Sequence, residues 1–205
     1  MPKVLAIIPT KAEIEPRALK ALQAQDYPDF GFLNTVLQPT NLHPDPEKNR
    51  VTNIVVNRNY ARRLALATDA EWFFWIDSDV VIPPHTISEF MRHRLPFMGG
   101  WYKKMAGPDW VSSRWVAEGL FYLFQEPQRG VQPVDMMGLG CVMMHRKVLE
   151  RIDFKPGTEV YLRDVFGRSY FYAECMYFCQ EAIQNGIRPH ILGSIICDHI
   201  EKKVG

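Results

Sequence analysis

The chain has 205 residues, 47% hydrophobic and 12% aromatic, which suits one ordinary domain burying roughly 70% of its unfolded surface. Its 24 Lys and Arg against 23 Asp and Glu leave a net charge of +1, which excludes attraction to polyanions by bulk charge and leaves only a local basic groove open. The first nine residues carry one basic residue ahead of an apolar run too short for a signal-peptide core or a membrane span, so the chain reads as soluble and cytoplasmic.

Residues 4–8 are continuously apolar and stop at Pro9, the pattern of a central strand buried on both faces. Residues 15–25 place Pro16 in a first helical turn and Ala18, Leu19, Ala21 and Leu22 on one face, as a crossover helix does. A second strand is expected over 30–37. Residues 38–50 hold three prolines, two acids and two asparagines and are expected to form a loop able to act as a lid. Residues 51–56 are apolar with one Asn, and 58–68 repeat Ala61, Leu64, Ala65 and Thr68 at helical spacing. The next strand, 72–76, is wholly apolar and runs into Asp77. A helix follows from about Pro83 or Pro84. Beyond it, 97–102, 115–124 and 131–144 read as mixed strands separated by Gly and Pro. Residues 174–185 form a helix stopped by Gly186, and a final strand, 191–197, delivers Asp198 and His199.

Alternation of strand and helix over the first eighty residues predicts an α/β, Rossmann-like, doubly wound sheet in a single domain, with ligands outside the carboxyl ends of its strands. The cysteines, Cys141, Cys175, Cys179 and Cys197, lack paired zinc spacing and read as reduced, mostly buried thiols.

Asp77, Ser78 and Asp79 follow the apolar strand, so two carboxylates stand one residue apart where a buried strand opens to solvent. Two hard oxygen donors there suit an octahedral Mg²⁺ or Mn²⁺ that keeps positions open for phosphate oxygens. The plain alternative makes one of these aspartates the N-cap of the following helix.

The segments "VLAIIPT", "RNYARRLALATDAEWFFWIDSDVVIPP", "GGWYKK", "DMMGLGCVMMHRKVLERI", "AECMYFCQEAIQNGI" and "CDHI" resemble, in this order, the glycosyltransferases of the A-type fold, especially family-2-like, DxD-containing members. The resemblance implies a nucleotide-diphospho-sugar transferase fold with a mainly parallel central sheet, its nucleotide-binding half in residues 1–80 and a smaller mixed-sheet acceptor half in 81–205. It implies that Pro9 and Thr10 lie beside the base, that Arg58 and Asn59 face the diphosphate, and that Asp77 and Ser78 meet the donor. Asp77, Asp79 and His199 would hold the metal. Gly138 and Gly140 match a turn lining the sugar and acceptor site, with a plain tight turn as the alternative. Arg58, Arg62 and Arg63 read equally as a solvated helix face, and Trp101 and Tyr102 as sugar-stacking rings or as core. The family pattern has Glu-Asp at the head of the late helix, with Asp as base in inverting members; here Glu174 precedes Cys175, a poor base for a hydroxyl. Glu174 is therefore the candidate base, unless a retaining mechanism needs none.

The resemblance thus implies a metal-dependent glycosyltransferase taking a nucleotide-sugar donor, a UDP-sugar foremost. Saccharide, lipid carrier, protein side chain and modified nucleic acid stand as acceptors, and the absence of an apolar span weighs against the lipid. Lys103, Lys104, Arg114, Arg146, Lys147 and Arg151 favour nucleic acid only if they form one stripe beside the site. A nucleotidyltransferase is the rival enzyme, disfavoured because "IIPTKAEIEP" lacks a glycine-rich phosphate loop. A non-catalytic nucleotide-sugar-binding module is the rival of another class.

Overall fold

The computed structural model describes residues 3–10, 13–36, 40–41, 43–103, 109–124, 126–157, 161–171 and 173–200. In chain order the elements of the first half are β1 (Val4–Thr10), α1 (Pro16–Gln23), β2 (Phe30–Val36), α2 (Pro46–Leu66), β3 (Trp72–Ile76), β4 (Val80–Val81), α3 (Thr86–His93) and β5 (Phe97–Trp101). The second half adds β6 (Ser112–Ala117), β7 (Leu120–Leu123), β8 (Val131–Pro133), β9 (Met136–Met137), β10 (Cys141–His145), α4 (Arg146–Arg151), β11 (Tyr161–Asp164), β12 (Ser169–Phe171), α5 (Glu174–Gln184), β13 (His190–Ile196) and β14 (Asp198–His199).

A seven-stranded sheet in the order β2-β1-β3-β10-β5-β13-β8 carries the fold. β2, β1 and β3 are mutually parallel, β13 is parallel to β5, and β10 runs antiparallel to both β3 and β5. Only β10 and β8 oppose the other strands, which gives the mostly parallel sheet expected. Alternation along the central strands feeds two apolar layers. Leu5, Ile7, Phe73 and Trp75 join Ala61 and Ala65 of α2, Val148 of α4 and Phe178 of α5 on one face. Val4, Ala6, Ile8, Trp72, Phe74 and Ile76 join Leu22 of α1 and Ile87 and Phe90 of α3 on the other. Helices on both faces explain why these strands read as unbroken hydrophobic runs.

Two expectations are corrected. The loop predicted over 38–50 ends early, because α2 starts at Pro46 and runs unbroken for 21 residues, absorbing 51–56 as well. Asp45 caps it by accepting the Lys48 N–H (3.0 Å), and Pro46 fills a first-turn position that needs no amide hydrogen. Residues 38, 39 and 42 of the predicted lid lie outside the described residues; Thr40 is held by Asn53, which accepts its N–H at 2.9 Å and donates to its carbonyl at 2.9 Å. The segment 131–144 is three short strands in two sheets, split at Pro133 and at the glycines before β10.

The second sheet, β12-β11-β7-β6-β9, buries Phe121, Leu123, Met136 and Leu162 in a smaller cluster beside the first. Its β11–β12 hairpin is closed by Asp164, whose carboxylate accepts the N–H groups of Phe166 and Arg168 and pairs with the Arg168 guanidinium at 2.7 Å. Gly167 supplies the left-handed residue of that turn, at φ 81°. A two-stranded ribbon joins β14 to β4. No described helix is long and apolar enough to cross a membrane.

Candidate active site at the strand ends

The parallel strands β1 and β3 end at the same edge of the sheet, at Thr10 and Asp77, while the antiparallel β10 begins there and β13 ends there. One edge therefore collects Thr10, Asp77 to Asp79, the Gly138–Gly140 turn and Asp198–His199, the carboxyl-end position where open α/β sheets bind ligands.

Asp77 is fixed from both sides. Its backbone N–H donates to the Gly140 carbonyl at 3.0 Å and its carbonyl accepts the Val80 N–H at 3.2 Å, turning the chain sharply after β3. Its carboxylate receives the Arg58 guanidinium at 3.1 Å. Asp79 is reached by the ribbon: pairing of His199 with Val80 sets the imidazole Nε2 3.4 Å from the Asp79 carboxylate, and the Ile200 N–H donates to the Asp79 carbonyl at 2.9 Å. His199 Nδ1–H donates to the Lys103 carbonyl at 2.8 Å, so Nε2 is the nitrogen turned to the carboxylate. The hydrogen bond with Asp79 pushes the imidazole pKa up against the opposing effect of burial. The alternative role for Asp79 falls away, since α3 begins at Thr86 with His85 at its N-cap.

Glu174, first residue of α5, points into the same space with its carboxylate 4.0 Å from Arg58 Nε. Arg58 is 6% exposed; burial alone would lower its pKa, but Asp77 and then Glu174 more than reverse that, so the guanidinium stays charged. Its Nε and Nη1 find no hydrogen-bond partner among the described residues. A cavity of about 200 Å³ opens beside this trio and continues between β6, β7, β9 and the head of α5.

The other sequence candidates sort clearly. Thr10 is buried, and its carbonyl accepts from the Asn57 side chain at 3.2 Å, tying the end of β1 to α2 beside the half-buried Pro9. Ser78 accepts the Glu15 N–H at 2.9 Å through its carbonyl and holds the turn between the two aspartates. Asn59 is not brought to the group, because its amide donates to the Phe154 carbonyl (2.7 Å) and accepts the Phe154 N–H (3.1 Å). Arg62 leaves the site likewise, donating to Leu149 and pairing with Asp153. Gly138 and Gly140 admit protein rather than open space: a Cβ on Gly140 would lie 2.6 Å from an Asp77 carboxylate oxygen and 2.8 Å from the Tyr102 hydroxyl, and one on Gly138 would press on the Tyr102 ring.

Tyr102 is the residue whose role the sequence obscured. It is buried, not open to stack on a sugar; its hydroxyl oxygen accepts the Gly140 N–H at 2.8 Å, and its ring meets His199 edge-on with centroids 5.6 Å apart. Burial and then Asp77 push its pKa well up, so the phenol stays neutral. Trp101 is core, packed edge-on against Trp110 and Phe124. The two glycines two residues apart were the available signal that a side chain crosses there.

The basic residues do not form one stripe. Arg146 holds the end of α2 through the carbonyls of Leu66, Thr68 and Ala70, at the pole of the sheet opposite Asp77, and Lys147 lies there with it. Arg114 is spent on the Pro133 carbonyl, and Lys104 lies outside the described residues. Cys141, Cys175, Cys179 and Cys197 form no disulfide among the described residues.

Among the described residues no group of three or more His, Cys, Asp or Glu forms a ready metal cage. The donors that do converge are the Asp79 carboxylate and His199 Nε2, with Asp77 one turn residue away. His199 donating its far nitrogen to a carbonyl is the outer arrangement that orients a metal-binding imidazole. A carboxylate and an imidazole nitrogen in this arrangement could hold a divalent cation with few protein ligands.

No protein-family model and no curated protein matches the sequence. The fold is similar to that of A197 from STIV, with a TM-score of 0.62 and 17% identity over 97% of this chain and 86% of that one. It is similar to S. aureus TarS 1-349 crystallised in complex with UDP-GlcNAc, with a TM-score of 0.57, 16% identity and coverage of 98% of this chain and 59% of that one. The same TarS segment with UDP gives a TM-score of 0.57 at 16% identity, over 95% of this chain and 60% of that one. This chain thus spans about three fifths of the TarS segment, and at these identities the likeness is one of fold.

Proposed function

We propose that the protein transfers a sugar from a nucleotide-diphosphate donor, foremost a UDP-sugar, to a hydroxyl acceptor in a reaction that uses Mn²⁺ or Mg²⁺. The observation that carries this reading is the pairing of Asp79 with His199 at the strand-end edge, with Asp77 two positions earlier on the same turn, in a fold shared with a protein crystallised with UDP-GlcNAc and UDP. Asp79 and His199, with Asp77 beside them, would hold the cation, which supplies positive charge to the leaving diphosphate. Thr10 and Pro9 border the space for the base. Arg58 keeps Asp77 and Glu174 apart and oriented.

In the inverting form, the acceptor oxygen bonds to the anomeric carbon as the bond from that carbon to the diphosphate oxygen breaks. The bonding pair leaves with the diphosphate, and the hydroxyl proton passes to the Glu174 carboxylate. Saccharide, lipid carrier, protein side chain and modified nucleic acid remain the acceptor classes, and the scatter of the basic residues lends no support to the last.

Calorimetry of UDP binding with Mn²⁺ and after exhaustive chelation tests the reading. Binding should weaken at least tenfold on chelation, because the uncompensated carboxylates repel a diphosphate. Equal affinity in both conditions would remove the metal from the account.

A further inference from the structure

The cavity beside Asp77 has a charged cluster in an otherwise mostly apolar lining. Asp77, Arg58 and Glu174 make one end polar, and the buried Arg58 still holds two nitrogens without a hydrogen-bond partner among the described residues. The rest of the lining is mostly apolar, with Val111 ahead of β6, Leu123 of β7, Met136 and Met137 of β9 and Met176 of α5, and it includes the hydroxyl residues Tyr102 and Ser113, the latter in register with Leu123 and Met136. Leu123, Met136 and Met137 are buried and belong to the apolar clusters of the two sheets.

From this polarity, and resting on the glycosyl-transfer reading, we infer that the group taken into the cavity is amphiphilic: hydroxyls at the carboxylate end, and an apolar substituent against the methionines. A space of about 200 Å³ holds on the order of half a dozen waters at liquid density. Those at the methionine end have few polar partners, and displacing them with an apolar group favours binding. A fully hydroxylated ring turned the same way would find Ser113 on that wall and leave its other hydroxyls without partners against hydrocarbon and sulfur. Methionine walls suit such a substituent, because an unbranched thioether adapts to its shape.

Two sources share this chemistry. Either the donor sugar bears a deoxy methyl group, or the acceptor carries an apolar aglycone. Calorimetry with Mn²⁺ present compares UDP-6-deoxyglucose with UDP-glucose, and saturation-transfer NMR without nucleotide compares octyl with methyl glycosides. A preference of about tenfold or more for the apolar member of one pair is expected, the size a small apolar group earns in such a pocket. Met176→Gln and, separately, the near-isosteric Val111→Thr should each narrow that ratio. The source is the donor if the first pair separates and the acceptor if the second does. The inference is overturned if neither pair separates, or if the preference survives both substitutions unchanged. Failure of UDP itself to bind would sink the donor reading alone, since the glycoside comparison reads the cavity without a nucleotide; the cavity inference then stands or falls on that comparison.

Discussion

Gly140 occupies a point where Asp77 and Tyr102 both need the space a side chain would take. Neither can yield cheaply: the Tyr102 hydroxyl is bonded to the Gly140 amide, and Asp77 donates its own amide to the Gly140 carbonyl. Gly140→Ala should therefore weaken metal-dependent UDP binding at least tenfold and cost about 1–3 kcal/mol of stability, as overpacking does; calorimetry and urea unfolding read the two effects. Unchanged binding would mean that the position of Asp77 does not matter. Glu174 differs in kind, because as a base it acts only while the acceptor hydroxyl is losing its proton. Glu174→Gln should lower the transfer rate by roughly 10² to 10⁴ with donor affinity near normal, and Cys175→Ala should change little. Should Glu174→Gln be silent while Asp79→Asn abolishes transfer, no base is needed, and the anomeric configuration of the product, read by NMR, should then be retained.

At the scale of elements, the joint between the 40–45 segment and α2 depends on Asn53, which is 6% exposed and spends its amide on both backbone groups of Thr40. Asn53→Ala should release that segment, raising its cleavage rate in limited proteolysis, and donor with metal should restore protection if the segment folds over the donor. Cleavage unchanged by the substitution would remove Asn53 as the tether. The β11–β12 hairpin carries a pH signature. Burial pushes the Asp164 carboxyl up, but hydrogen bonds and charge from Arg168, with the Phe166 amide, hold it below the usual carboxylate value. Its contribution is present above the unfolded value of about 4 and lost as pH falls through the lower folded value. Urea midpoints of Asp164→Asn should accordingly fall less than those of the native chain over that acidic window. The helix start at Asp45–Pro46 was written in the sequence as an acid followed by proline, yet three prolines in one polar stretch read as loop, since composition averages over the positional meaning that a cap and a first-turn proline carry.

Across the whole molecule, the doubly wound core was legible because β1 and β3 are buried on both faces and leave no other reading for runs such as WFFWI. Asp77 and Asp79 were legible for the same reason: an acid directly after such a run must emerge at the sheet edge. The second sheet was less so, because strands of two to six residues give too few side chains for a period to show. Nor could the sequence tell that Asn59 and Arg62 are spent on the backbone of distant segments, since those partners are set by tertiary packing alone. The ribbon of β14 on β4 joins segments remote in the chain, and only through it does His199 reach Asp79. During synthesis Asp79 therefore emerges long before its partner, and β13 must dock beside β5 before the imidazole can arrive. A nascent chain holding only the first half of the fold carries both aspartates but lacks Gly140, which holds the Asp77 amide, and the ribbon that reaches Asp79, so the edge is finished only when these long-range pairings have formed.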